Sequence, residues 1–598
     1  ERHRDWLDST NASLSWRATA PLRAVKRSLA TAGSAIYRPP AEAADRAAGR
    51  IAWPPDGSER PRGPLDVHGW CLFPGSTVAR VEVRLNGGPA VRARLAVGRP
   101  SSAPDSAHPD APICGFEHKP DLAELAPGAT TVRVDAVAHA IDGRRFALDP
   151  VVYPLIAAPE PSAGRRADAA VLRPRSARPR ALGASGELRL LAFTHTLGYG
   201  GGSLYLLELL RRLRRRPGLR CEVVSLADGP LRDLLEDAGI PVHVTDGHAV
   251  ASAARYEGHI AELTAWTQRR GFDAVLVNTL AAFAGADLAA RLGLPAVWVV
   301  HESFPLPMFW FTAFPPQTLD PYVRAQAEGV LRSTSAVLFV AEATRRLFVA
   351  DADPERLVTL PYGVELDAID AARRTCDRAA TRRRLGIDER ARVVLCLGTI
   401  EPRKSQAMLA QAFAQVAGRH PDAQVVLVGA TDDAYCADYR AALGDYIERA
   451  GLAGRVRVER VTDDPWSWHA VADLLVCASD IESLPRSITE AMAFGTPVLS
   501  TRVFGVPELI EDGVGGFLCE LRNVAGLAAG LDRVLGMDRE ELAAVARAGR
   551  ERVRARHDPD VYAAGVLRLL EGLVAHPEAL PGHLLAREPA PAAAVAAP

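Results

Sequence analysis

From Leu188 onward, short apolar runs recur with helical segments between them, and this alternation limits the fold more than any other feature. The runs lie at 188–193, 222–226, 241–244, 274–277, 296–300 and 336–340. A second series lies at 393–399, 424–429, 455–459, 473–477 and 497–501. Runs this short and apolar, spaced by amphipathic segments such as Leu204 to Arg215, read as strands buried on both faces. Parallel strands need a crossover connection, and a helix supplies it. The expected architecture is α/β, with two doubly wound, Rossmann-like parallel-sheet domains. Ligands of such sheets bind outside the carboxyl ends of the strands, so the loops after the runs are where the chemistry should be.

Four of those loops hold candidate residues. Thr194-His-Thr-Leu-Gly-Tyr-Gly-Gly-Gly-Ser203 joins a strand to a helix, and Gly201 and Gly202 let backbone approach a ligand closely. It lacks the G-x-G-x-x-G spacing and a following acid, which argues against a dinucleotide enzyme. Val297-Trp-Val-Val-His301 places a His just past a strand end; a lone His there is more often structural, and His195 is a second candidate. Ile400-Glu-Pro-Arg-Lys-Ser405 puts Arg403 and Lys404 at a helix start, where cations reach phosphate. Asp480-Ile-Glu-Ser-Leu-Pro-Arg-Ser-Ile-Thr-Glu-Ala-Met-Ala-Phe-Gly-Thr-Pro-Val places Glu482 in a strand-end loop and Glu490 one turn inside the next helix. A single Glu in such a place usually lies on a solvated face.

Seven residues separate the two glutamates, and Ala-Met-Ala-x-Gly-x-Pro-Val follows the second. This resembles the E-x7-E signature of family 4 glycosyltransferases, retaining enzymes of the two-domain GT-B fold, over about residues 188–570. The resemblance implies that Glu482 contacts the donor sugar, that Glu490 contacts the nucleotide ribose, and that Lys404 and Arg403 hold the diphosphate. It also implies that Gly201 and Gly202 reach the donor phosphates across the cleft and that His301 lies near the reacting carbon. Ser483-Leu484-Pro485 stands where the family often has Gly-Phe-Gly. Pro485 has no N–H for a phosphate, so Leu484 is the neighbour expected to supply that contact. Thr399 replaces an Arg usual after the strand glycine, and Tyr362 stands where Asn is commoner.

The rest of the chain divides by composition. Residues 1–50 include Ser13-Leu-Ser-Trp-Arg-Ala-Thr-Ala-Pro-Leu-Arg23, which resembles a tail following transferase modules. With Glu1 in place of Met, it suggests a fragment of a multi-module bacterial polysaccharide-synthesis protein. Residues 14–29 read as a solvated linker helix, with a membrane-surface helix as the alternative. Residues 51–157 alternate with period two between Gly, Pro and Asn-Gly turns, predicting a small antiparallel β-sandwich. Gly69-Trp70, Cys114-Gly-Phe116 and Leu125-x-Pro-Gly128 resemble the immunoglobulin-like accessory domain found before bacterial glycosyltransferases, with Trp70 in its core. Residues 158–187 are a Pro/Arg-rich linker. It implies few contacts between the sandwich and the α/β domains, so that 188–575 should fold alone. Residues 188–365 form the expected acceptor domain and 366–575 the donor domain, whose closing helix near 558–572 returns to the first domain. Residues 576–598 are Pro/Ala-rich, an expected disordered tail.

A net charge of −1 gives no general attraction to nucleic acid. The eight cysteines are scattered without a C-x-x-C, which suits reduced core thiols in the cytoplasm. The expected function is metal-independent transfer of a hexose or deoxyhexose from a UDP-, GDP- or dTDP-sugar. The acceptor is a glycan or lipid-linked molecule of surface-polysaccharide synthesis, met in the cytoplasm or at the inner face of its membrane. A GT-B-fold nucleotide-sugar epimerase and a non-catalytic glycan-binding scaffold are the alternatives. No cofactor is expected. The acid pairs Asp432-Asp433 and Asp463-Asp464 read as solvated loop residues rather than metal ligands.

Overall fold

The computed structural model describes residues 47–586 apart from 55, 58, 62–64, 96–109, 123–124, 126–128, 157–185, 315–317 and 433–435. The expectations for the 13–29 tail, nearly all of the linker, Pro127-Gly128, Asp433 and residues 587–598 therefore lie outside the described residues.

Two packed sheets open the described chain. One has the order β1(Ala48–Trp53), β3(Val67–Leu72), β7(Gly115–His118), β6(Arg94–Leu95). The other has the order β2(Arg60–Pro61), β9(Arg145–Ile156), β8(Thr131–Ala140), β4(Val78–Leu85), β5(Val91–Arg92). Alternate residues of β4 and β8 are buried, as a sheet with one core face requires. Asn86 and Gly87 both have positive φ, the backbone of the Asn-Gly hairpin turn the sequence predicts. Trp70 is buried with Leu72 and Cys114. One pairing departs from the antiparallel expectation: the two-residue edge strand β2 runs parallel to β9.

The first α/β domain is a seven-stranded parallel sheet in the order β12(Val242–Val244), β11(Leu219–Ser225), β10(Leu188–Thr194), β13(Ala274–Asn278), β14(Ala296–Val300), β15(Ala336–Phe339), β16(Leu357–Thr359). The second is six-stranded in the order β19(Val456–Arg460), β18(Ala423–Ala430), β17(Arg392–Leu397), β20(Leu474–Cys477), β21(Val498–Thr501), β22(Phe517–Cys519). Both follow the Rossmann order, with the chain reversing direction across the sheet after its third strand. The switch points fall between β10 and β13 and between β17 and β20.

The chain crosses between two compact units. One holds the first sheet together with residues 557–586, and the other holds the β-sandwich and the second sheet, with boundaries at Gly363–Val364 and Arg556–His557. The closing helix Pro559–Ala575 packs on the first domain, as expected. It is not the last helix: Pro581–Ala586 form a further one, with Pro581 and Leu584 buried. Leu584 presses on Gly572, where an added Cβ would lie 2.7 Å from it. The disorder expected from composition thus fails over 576–586, because two apolar anchors outweigh the surrounding Pro and Ala.

The expectation of few contacts around the sandwich is also corrected. Its core and that of the second α/β domain form one cluster, running from Ile51 and Tyr153 to Phe413, Tyr446 and Leu531. The buried turn Ala111–Ile113 meets helix Ala437–Arg449, and β4 meets helix Val524–Gly536. Polar contacts reinforce the seam. Arg92 pairs with Glu520 at 2.5 Å, and Arg522 donates to the Arg92 carbonyl at 2.7 Å. Gln415 donates to the Thr77 hydroxyl at 3.3 Å. The linker's composition reports only on the linker; it says nothing of a face presented elsewhere on the sandwich.

All eight cysteines are free, and all but Cys376 are buried. Among the described residues no helix is long and apolar enough to cross a membrane.

Candidate functional site

In the second α/β domain, the predicted residues gather at the switch point. β17 leads through Gly398 and Thr399 into Pro402–Lys404, and β20, its neighbour in the sheet, leads into the loop of Glu482. The loop after β17 is tightly cornered. Gly429 has φ +137°, and a Cβ there would lie 2.2 Å from the Gly398 carbonyl oxygen, so only glycine fits. Ser405, 2% exposed, holds φ +54° at the start of helix Gln406–Val416, an uncommon backbone for a residue with a side chain. Gln406 donates to the Thr399 carbonyl at 2.9 Å, bracing the turn from within.

Three ion pairs dominate this site. Lys404 Nζ meets Glu482 Oε1 at 2.5 Å, Arg403 meets Glu401 at 2.7 Å, and Arg486 meets Glu490 at 2.8 Å. Glu482 and Glu490 are both buried. Burial works to raise the Glu482 carboxyl, but Lys404 and Arg403 outweigh it and hold the acid below its ordinary range. Burial likewise opposes ionisation of Glu490, and Arg486 with His469 reverses the effect. Both carboxylates therefore stand ionised as hydrogen-bond acceptors near neutral pH. Helix Arg486–Phe494 begins after Pro485 and ends at Gly495 in the left-handed region. Leu484 is buried just before it. One acid of each pair has a structural partner: Asp432 accepts from both Nη nitrogens of Arg460, and Asp464 caps the helix Pro465–Val471.

In the first α/β domain, His301 and the glycine loop meet at that sheet's switch point. Thr194 of β10 lies in register with Asn278 of β13. Asn278 donates to Thr194 Oγ1 at 3.3 Å and to the Gly202 carbonyl at 3.0 Å. Its carboxamide oxygen faces His301 Nε2 at 3.0 Å, so Nε2 carries the proton and Nδ1 is the accepting nitrogen. Burial pushes the His301 pKa down to about 3, which keeps the ring neutral. Gly202 brings helix Gly201–Leu213 close: a Cβ there would lie 3.2 Å from Thr279 and 3.7 Å from the His301 ring, whereas one at Gly201 would meet nothing. Tyr205 packs edge-on to His301 at 4.6 Å and hydrogen-bonds Tyr562 of the closing helix. His195 sits 2.7 Å from Thr279 Oγ1 and is pushed down to about 4 by burial.

Sequence reasoning gave Asn278 no role, yet it orients His301. It also passed over Thr279 and Glu302. Thr279 is β-branched at φ +76°, a true outlier, held by Trp298 Nε1 on its carbonyl and by Val299 O on its N–H. Glu302 accepts from the N–H groups of Leu280 and His301, and burial pushes it up to about 7. Local strain and buried pairing leave no mark in a hydropathy pattern, so no sequence signal pointed to these two.

Residues 199–368 match the family model described as Glycosyltransferase Family 4, and residues 377–552 match Glycosyl transferases group 1. The fold is that of a GT-B protein, and its two α/β domains each match a glycosyltransferase family model. A D-inositol 3-phosphate glycosyltransferase of Streptomyces griseus is 29% identical over 369 residues, covering 56% of this chain and 76% of that protein. One from Geodermatophilus obscurus is 34% identical, covering 38% of this chain and 50% of its own. The chain spans about half the length of several such relatives, 48% for that of a Mycobacterium species. Among solved structures, Anabaena HepE in complex with UDP and glucose shares the fold at 24% identity with a TM-score of 0.55, covering 64% of this chain and 99% of that one.

Proposed function

We propose that this chain is a retaining glycosyltransferase that moves a hexose or deoxyhexose from a nucleoside-diphosphate sugar to a hydroxyl of a glycan or lipid-linked acceptor. The observation that carries the reading is the pairing of half-buried Lys404 with buried Glu482 at the strand switch point, with ionised Glu490 in the helix just beyond it. The donor diphosphate takes Lys404 and Arg403, the sugar hydroxyls take Glu482, and the ribose takes Glu490. As the anomeric carbon–oxygen bond breaks, charge grows on the leaving phosphate, and fixed cations are worth most against charge that develops in the transition state. Neutral His301 donates its Nε2–H to Asn278 and keeps Nδ1 as a hydrogen-bond acceptor that adds no charge. The solved complexes of HepE with UDP and with UDP-glucose support a nucleotide-sugar donor. The work is assigned to surface-polysaccharide synthesis in the cytoplasm or at the inner membrane face. An epimerase would release product without an acceptor, so acceptor-dependent nucleotide release separates the two.

The reading is tested at Lys404. Lys404→Ala should weaken UDP, GDP or dTDP binding by about 1.5–3 kcal/mol, the scale of a charge-assisted hydrogen bond, as measured by calorimetry. Unchanged affinity in a folded variant would remove the assignment.

Metal independence follows from the same residues, because Lys404 and Arg403 meet the phosphate charge. Asp66, His68 and Glu117 do bring ligand atoms within 4.8 Å of one another. They lie in the β-sandwich, however, and Lys119 and Arg94 already hold the Glu117 oxygens. Turnover should therefore survive EDTA; a complete loss restored by Mg²⁺ would contradict this.

A further inference from the structure

The sandwich reaches the donor loop through one side chain. Arg94 of β6 spans two carboxylates: its Nη1 meets Glu117 at 2.7 Å, and its Nε donates to Asp480. Asp480 stands two residues before Glu482 and only 1% of its side chain is exposed. Its backbone N–H donates to the Arg403 carbonyl at 2.8 Å, and the neighbouring Ser479 carbonyl accepts from Thr501 at 2.6 Å. Asp480 thus ties the loop of Glu482 to the loop of Arg403 and Lys404. Its carboxylate leans mainly on Arg94. The other cation near it, Arg522, is 3.4 Å from the same oxygen, and Oδ1 has no hydrogen-bond partner among the described residues. On the sandwich side Arg94 is itself held, since Glu117 also binds Lys119 at 2.9 Å and stays ionised despite its burial.

We propose that Arg94 is a positioning residue of the donor site, so that the β-sandwich is a structural part of the catalytic unit rather than an appended module. This rests on the donor reading above. A buried carboxylate that loses its cation must move toward water, take a proton or find another partner. Asp480 can move only by drawing the backbone of its loop with it, which displaces Glu482 and loosens the Asp480–Arg403 link. Misplacement on the ångström scale costs about a hundredfold in rate. A bond that merely glued two domains together would lower stability and leave the kinetics of folded molecules alone.

The test uses the full chain with Arg94→Met and Arg94→Lys. Hydrogen–deuterium exchange without ligand comes first. Arg94→Met should speed exchange at 478–485 and 403–405 by about tenfold or more, the effect of removing a tie worth one charge-assisted bond, with strands of the first domain unchanged. Turnover of the best UDP-, GDP- or dTDP-hexose should then fall about 10–100-fold in kcat, counted per site by nucleotide calorimetry. Arg94→Lys keeps the charge without the fork and should recover part of both effects. Loop exchange equal to wild type in Arg94→Met overturns the proposal, as does wild-type kcat beside faster loop exchange. If the wild-type chain binds none of UDP, GDP and dTDP, the donor reading fails, and the exchange experiment still decides whether Arg94 holds the loop.

Discussion

Glu482→Gln is expected to lower kcat by about 10–100-fold while leaving UDP affinity unchanged or tighter. The loss is that of a charged acceptor at the sugar, about 1.5–3 kcal/mol. The second half of the expectation comes from the ion pair. In the ligand-free site Glu482 holds the ammonium of Lys404 at 2.5 Å. A phosphate must compete with that carboxylate, and the neutral amide gives way more easily. Glu490→Gln should behave in the opposite manner. Free UDP retains the ribose, so its affinity should fall by about tenfold or more. Calorimetry with UDP and GDP on both variants, with turnover of the preferred donor, separates them. Loss of nucleotide affinity in Glu482→Gln alone would reverse the two roles. No change in either variant would remove the glycosyltransferase reading of this stretch.

A chain beginning at residue 187 is expected to lose about 3–6 kcal/mol of stability in its donor domain and about 6–24 °C in Tm. The figure corresponds to uncovering two large buried apolar side chains at about 1.5–3 kcal/mol each, converted at about 2–4 °C per kcal/mol for a domain of this size. The seam of Ala111–Ile113 against helix Ala437–Arg449 makes that uncovering unavoidable. Tyr446, 1% exposed, lies in the same helix and feels the charge of Asp110. Thermal unfolding by circular dichroism, with a dye for exposed apolar surface, reads the effect. A truncated chain with an unchanged donor-domain transition would show that the seam contributes little.

Much of the fold was legible because buried parallel strands are near-continuous apolar runs. The runs at 274–277, 296–300 and 473–477 sit within a residue or two of β13, β14 and β20. β16 and β22, three residues each, were not read as strands, although the equally short β12 was found from the run at 241–244. The sequence also placed Lys404, Glu482 and Glu490 in the strand-end loop and helix where they are found, since motif spacing fixes position within one strand–loop–helix unit. It could not show the partners that tertiary folding brings in. Asn278 serves His301 from another strand, and Arg94 meets Asp480 across 386 residues of chain. Pairings of that kind depend on which faces meet, and local patterning does not encode it.

The interleaving of the two units has a consequence for the newly made chain. The sandwich is complete at Ile156, but the domain that covers its seam closes only at Arg556, after the whole first sheet. At about 5–20 residues per second, about 20–80 s of synthesis separate the two points. Until the second domain emerges, Ala111–Ile113 have no helix to pack against, while β10 to β16 are already forming a sheet of their own. The order of emergence from the ribosome therefore brings out the sandwich before the first sheet and completes its seam only after that sheet.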